Sequence, residues 1–307
     1  MTGKLTSVSV DIDEVHHYFA IHGLPIPATA ARAAYDVALP RLGAFAEARG
    51  IPLTFFAVGE DLARPESAST LRVLATRGHA VESHSLSHRY DLTRLTRDEI
   101  ASEVEQGARV IAHVTGRRPA GFRAPGYTVS DDLFDALEDA GVAYDSSVFP
   151  CPPYYFAKAA AMAAMRITGR TSRSILDTPR VLGAPTRPYR PGRPWYQRGT
   201  RRFVELPIQV TPGLRLPFIG TSVALLGNRG ARWLARRCAG EAFVNLELHA
   251  MDFLDAADGL EALLPHQPEL RIPVARRIAA LGAALDVLAA AGHAFVTLEE
   301  AARAVAR

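Results

Sequence analysis

The sequence predicts an α/β fold of parallel strands joined by helical crossovers. Three observations predict it. Short β-rich runs alternate with stretches of helical spacing along most of the 307 residues. Hydrophobic residues make up 48% and charged residues 22%, enough to bury a large core, which excludes a disordered chain and a disulfide scaffold. The length exceeds that of most single domains but suits one α/β barrel, so residues 1–307 read as one domain.

Residues 5–11 alternate apolar and polar side chains and end in acids, as a strand does. Residues 30–49 are Ala-rich with helical spacing, with Thr29 as a cap and Gly50 as a stop. Residues 52–58 (PLTFFAV) form a β-rich run. Residues 66–77 read as a helix closed by Gly78, and 79–83 as a short strand. Residues 96–115 carry a capping box, Thr96 with Glu99 three positions on, and Gly116 follows the end. Residues 121–124 and 142–146 read as strands around a helix at 130–140 that ends at Gly141. The alternation lapses between residues 151 and 202 and resumes with strands at 203–210 and 243–248. A long helix over 273–291, a last strand at 294–298 and a short helix from Glu299 complete the chain.

The candidate chemistry sits at strand ends. Asp11 and Asp13 are two apart, so they point to one face of their strand and repel each other unless a cation lies between them. His84 and His88 follow the third strand at a spacing that one tight turn can close, and neutral imidazole suits zinc and similar divalent ions. A carboxylate with two imidazoles leaves coordination positions open, as a catalytic metal requires. Arg123 precedes Pro125-Gly126-Tyr127, a sharp turn with backbone N–H groups suited to an oxyanion. Asp145 and His249 end two further strands.

Asp11-Ile12-Asp13, His84–His88, Arg123-Ala-Pro-Gly, Asp145-Ser-Ser-Val-Phe149 and Leu246-Glu-Leu-His249 follow one another in an order that resembles the polysaccharide deacetylases, the NodB-homology or carbohydrate esterase family 4 group. The isoleucine between the aspartates resembles the D-x-D branch of that family, and Phe149 stands where many members have tryptophan. The resemblance implies a distorted (β/α)7 barrel and metal-assisted amide hydrolysis. It assigns Asp13, His84 and His88 to one divalent ion, zinc foremost, with cobalt, manganese, iron or nickel as others. It makes Asp11 the base, oriented by Arg123, and His249 the acid, kept charged by Asp145. A backbone N–H near Gly126 or Tyr127 would meet the oxyanion, and Phe149 would wall the sugar pocket. The implied substrate is an N-acylated amino sugar, N-acetyl foremost, in a glycan or linked to a lipid. The alternatives are a deformylase or other amidase on the same scaffold, and an inactive glycan-binding protein.

Residues 151–240 hold sixteen Lys and Arg against two acids, and read as a basic insertion between the strand of Asp145 and that of His249. Its arginines, among them Arg187, Arg190, Arg193, Arg198, Arg201, Arg202 and Arg215, suggest a lipid diphosphate or an anionic membrane surface. No RNA-recognition or helix-turn-helix pattern accompanies them, so no nucleic acid is expected. Cys151 and Cys238 match no CxxC pattern. His16 and His17, just after the acid pair, could approach the metal, but read foremost as pocket-lining or solvent-facing. With no apolar leader or spanning run visible, a cytoplasmic location is expected, at most peripheral to the inner membrane.

Overall fold

The computed structural model describes residues 3–28, 30–167 and 175–306. Its core is a parallel sheet of eight strands: β1 (Lys4–Ile12), β2 (Thr54–Ala57), β3 (Ala80–Ser83), β4 (Gly121–Phe122), β5 (Tyr144–Asp145), β6 (Val204–Glu205), β7 (Phe243–His249) and β8 (His293–Phe295). The order is β6-β5-β4-β3-β2-β1-β7. Strand β1 pairs β7 along one edge; along the other it pairs β8 through Lys4–Thr6 and β2 through Ser9–Ile12. The segment after β6 then bends across to β7, where Gln209 N–H donates to Asn245 O at 3.0 Å and Asn245 Nδ2 donates to Leu206 O at 3.0 Å. The curled sheet is the distorted (β/α)7 barrel that the motif order implies.

The alternation in β1 has a different meaning from that of a half-exposed strand, because both faces are buried. Val8, Val10 and Ile12 join Phe55, Leu246 and Leu248 in the principal apolar core. Each such side chain contributes about 1.5–3 kcal/mol by leaving water. Ser7, Ser9 and Asp11 face the interior of the curl, which is polar and also holds Arg123, Ser146, Asn245 and Glu247. A polar interior survives burial only when its groups are satisfied. Here Ser9 Oγ donates to Asn245 Oδ1 and accepts from Arg123 Nη2, and Asn245 Nδ2 donates to Ser146 Oγ.

The helices are α1 (Val15–His22), α2 (Leu39–Arg49), α3 (Pro65–Thr76), α4 (Arg97–Thr115), α5 (Asp131–Asp139), α6 (Pro152–Ile167), α7 (Gly220–Cys238), α8 (Val274–Ala290) and α9 (Leu298–Val305). The predicted capping box of α4 is present: Thr96 Oγ1 accepts the Glu99 N–H while Glu99 Oε2 accepts the Thr96 N–H. The helix predicted over 30–49 starts later. Residues Ala34–Ala38 form a π turn in which Leu39 N–H reaches back five residues to Ala34 O. Pro40 has no N–H to continue the ladder, so the wide turn is placed where the missing donor costs nothing. The Thr29 cap lies outside the described residues.

The basic insertion is structured differently from its reading as an arginine-rich face. It contributes β6, α6 and α7, and most of the named arginines are already occupied. Arg193 and Arg201 pair with Asp135, and Arg201 and Arg202 with Glu138, both acids of α5; Arg187 pairs with Glu241. Arg190 and Arg215 donate to backbone carbonyls, and Arg198 lies over the Tyr189 ring. Acids from neighbouring elements neutralise Arg187, Arg193, Arg201 and Arg202. No described helix is long and apolar enough to cross a membrane.

Candidate metal and acid–base site

The C-terminal ends of β1, β3, β4 and β7 meet on one rim. Asp13, just past β1, His84, just past β3, and His88, four residues on, are all buried, and one ligand atom from each lies within 4.8 Å of the others. Both His84 Nε2 and His88 Nε2 lie 3.2 Å from Asp13 Oδ1. Even so, Asp13 Oδ1 and both ring nitrogens of His88 lack a hydrogen-bond partner. Close approach without hydrogen-bond alignment is what donors aimed at a common point produce, so the set fits a cation. His84 Nδ1–H donates to Arg123 O at 2.7 Å, which fixes the tautomer and turns the Nε2 lone pair toward Asp13. Burial raises the Asp13 carboxyl, but His88 and His84 outweigh it and hold it well below the ordinary range.

The loop that carries the histidines is held in an unfavourable shape. Ser85 and His88 have φ of 69° and 53°, left-handed values that cost roughly 1–3 kcal/mol each for such residues. The loop is pinned by Gly59 N–H to Ser85 O, Glu60 N–H to Leu86 O and His88 N–H to Ser85 Oγ. Behind it α4 presses Gly107 so close that a Cβ there would lie 2.8 Å from the Ser85 carbonyl carbon.

Arg123 is fully buried above the Phe56 ring, with its guanidinium carbon 4.2 Å from the ring centre. Its Nη1 donates to Asp11 Oδ1 at 2.6 Å, Nε to Ser146 O, and Nη2 to Ser9 Oγ and Ser146 Oγ. Asp11 therefore keeps a counter-charge in a dry interior. His249 Nδ1 forms an ion pair with Glu247 Oε1 at 3.0 Å, and Tyr127 Oη lies 3.2 Å from His249 Nε2. Burial opposes charge on His249, but Glu247 outweighs it and pushes the imidazole well above its ordinary value. Burial likewise raises Glu247, and His249 brings it below the usual range.

Asp145 does not reach His249. Its carboxylate accepts from Ser147 N–H and Ser147 Oγ, and it faces Glu205, its direct neighbour on β6. Strands β5 and β7 are not adjacent in the sheet, so the carboxylate beside His249 comes from β7 itself. Glu247 and His249 are two apart on one strand, and that alternation was the signal for the pair. Of the two N–H groups expected near the oxyanion, that of Tyr127 is taken by Ala124 O at 3.1 Å and is committed to its turn, which leaves that of Gly126. A further expectation is corrected. Phe149 packs behind Tyr127 and Tyr154, with ring centres 5.8 and 4.9 Å away, and does not line the main cavity.

That cavity, of about 560 Å³, opens over Asp11, Asp13, His84 and His249. Gly126 and Tyr127 form part of its wall, and both have positive φ, which aims the Tyr127 hydroxyl at His249. Residues not singled out from sequence complete it: Tyr18, Tyr90, and the α6 face of Ala157, Lys158, Ala161, Met162 and Met165. Lys158 Nζ donates to Gly126 O at 3.2 Å, and burial lowers its ammonium to about 8.

The motifs, the barrel and the rim geometry coincide with what comparison finds: the family of polysaccharide deacetylases matches residues 35–144. That span, 110 of the 307 residues, includes His84, His88 and Arg123. A peptidoglycan deacetylase of Helicobacter pylori is 26% identical over 156 residues, which is 49% of this chain and 52% of that protein. The chain thus matches about half the length of that curated relative. Among solved structures, a Mycobacterium smegmatis protein named for the polysaccharide deacetylases superposes with a TM-score of 0.60 at 21% identity, covering 99% of this chain and 91% of that one. PuuE allantoinase superposes with a TM-score of 0.59 at 16% identity, covering 98% and 89%. A carbohydrate esterase 4 pseudoenzyme from Bacillus anthracis reaches 0.50 at 12% identity, covering 97% and 65%. These likenesses establish the fold alone, and activity has to be argued from side chains.

Proposed function

We propose that the chain hydrolyses an N-acyl group, N-acetyl foremost, from an amino sugar in a glycan or lipid-linked sugar, within one domain over residues 1–307 whose residues 151–240 form an insertion. The carrying observation is that Asp11 with Arg123 and His249 with Glu247 stand beside the Asp13–His84–His88 donors on the floor of one cavity. A glycan-binding protein has no use for a carboxylate paired with a buried arginine facing an imidazole paired with a glutamate across one cavity. A divalent ion on Asp13, His84 and His88 would supply Lewis acidity toward the acyl carbonyl and lower the pKa of water. Zinc suits the donors best.

The chain's own groups account for the rest of the chemistry. Asp11, paired with Arg123, accepts a proton from attacking water, and the Arg123 carbonyl oxygen keeps His84 oriented through Nδ1. His249, protonated because Glu247 lies against it, donates a proton to the departing amine. The Tyr127 hydroxyl positions that imidazole from its other nitrogen.

Metal content of purified protein, with acetate and formate release from a panel of N-acylated amino sugars, tests the reading. Asp13→Ala is expected to lose the ion of this site together with release. Formate in place of acetate would select the deformylase alternative. A metal-loaded wild type that releases neither acid from any member, while Asp13→Ala keeps the full metal content of wild type, would sink the proposal.

For contact with an anionic membrane, α7 is a better candidate than the paired arginines. It contains no acid, and its outer face exposes Leu225, Leu226 and Trp233 among Arg229, Arg232 and Arg236. Its first turn borders the cavity through Ile219 and Thr221. Flotation with phosphatidylglycerol vesicles but not with phosphatidylcholine is the expected result, lost in Arg232→Glu/Arg236→Glu.

A further inference from the structure

A second set of metal-binding side chains gathers where α1 begins. His16, His17 and Asp61 each place a ligand atom within 4.8 Å of the others. His17 Nε2 and Asp61 Oδ2 are shielded from solvent, and neither has a hydrogen-bond partner. Leaving such a group unsatisfied costs about 1–3 kcal/mol, so two in one place call for a shared partner.

The backbone holds the three groups in place. Glu14 accepts the Val15 N–H at 2.9 Å and caps α1, which puts His16 and His17 in the first turn. Asp61 lies on the 3-10 turn Glu60–Ala63 after β2, and its carboxylate accepts the Glu14 N–H, leaving Oδ2 for another ligand. The His16 and His17 rings lie 3.9 Å apart, and the His17 ring lies 4.2 Å from that of His88. None of the three lines the main cavity.

We propose that His16, His17 and Asp61 form a second divalent-cation site beside the first. Its donors, two imidazoles and one carboxylate, repeat those of the Asp13 set, so both would select the same borderline ions, zinc, cobalt or nickel. Three half-buried protein ligands leave room for water to complete the coordination. The contrasting account is a histidine stack that braces His88 without an ion. The proposal rests on side chains that the proposed hydrolysis does not use.

The test is titration of chelator-stripped full-length protein with cobalt or zinc, read by calorimetry, by the cobalt absorption spectrum and by metal content after gel filtration. Wild type is expected to bind two equivalents. Asp61→Ala and His16→Ala are each expected to bind one; His16 is half-buried, so its truncation leaves the core intact and guards against misfolding of the first variant. Asp13→Ala is also expected to bind one, and an ion retained there but lost in His16→Ala separates this site from the first. One equivalent in wild type, or two retained in both Asp61→Ala and His16→Ala, would overturn the proposal.

Discussion

Asp11 and Asp145 both end parallel strands and both are buried, yet they are held in opposite ways. Asp11 has a guanidinium at 2.6 Å. Asp145 faces Glu205, and burial pushes both of those carboxyls above the ordinary range, Glu205 the further because the neighbouring Asp145 charge adds to the penalty. Two carboxyls facing each other in one dry site oppose each other's ionisation. Burial is equal in the two regions; the nearest counter-charge decides which carboxylate can act as a base and which is structural.

The largest way to break this contrast is Asp11→Asn, expected to lower turnover by roughly 10²–10⁴-fold while metal content is unchanged. Loss of metal together with activity would instead exchange the roles of Asp11 and Asp13. Arg123→Met should come next. It strips Asp11 of its cation and empties four hydrogen bonds, and the melting transition should report a loss of about 3–5 kcal/mol. A variant as stable as wild type would show that the interior charge is solvated after all.

Glu247→Gln sharpens the comparison on the acid side. Removing the charge that raises His249 lets the imidazole deprotonate at lower pH, so the alkaline limb of kcat/KM should move down by about 1–3 pH units. An unmoved limb would assign it to another group. The smallest effect is expected from Glu205→Gln. A carboxyl whose folded pKa is raised keeps its proton in the native state after the unfolded chain has lost it, so it lowers stability as pH rises above the unfolded value. Glu205→Gln keeps an acceptor for the Val148 N–H and should raise the unfolding free energy, increasingly from pH 5 to pH 8, by on the order of 1 kcal/mol, read from the melting transition.

Where function needs several side chains at one point, the sequence was informative. Asp11, Asp13, His84, His88, Arg123 and His249 each stand at or just past a strand end, and the rule that such ends share a rim brought them together. The Thr96 capping box was legible for a local reason, since both partners lie within one turn. Assigning Asp145 to His249 failed because motif order does not say which strands are adjacent. Glu247, two residues from His249 on the same strand face, is legible only from that strand's alternation, since it lies inside the motif and not at its end. The arginines of 151–240 misled for a related reason: composition records charge, whereas Asp135, Glu138 and Glu241 neutralise it across distances that only the fold sets. Helix α1 was missed because its cap, Glu14, also belongs to the acidic run that reads as a strand end.

Gly107 shows how far from the reacting atoms the rim is governed. With no methyl group at that position, α4 and the loop bearing both imidazoles rest main chain on main chain. An alanine there would have to lift the whole loop, shifting His84 and His88 as one body while leaving every ligand in the chain. The spread of the imidazole pair is thus tunable from the rear, by the bulk of a side chain that no ion or sugar ever meets.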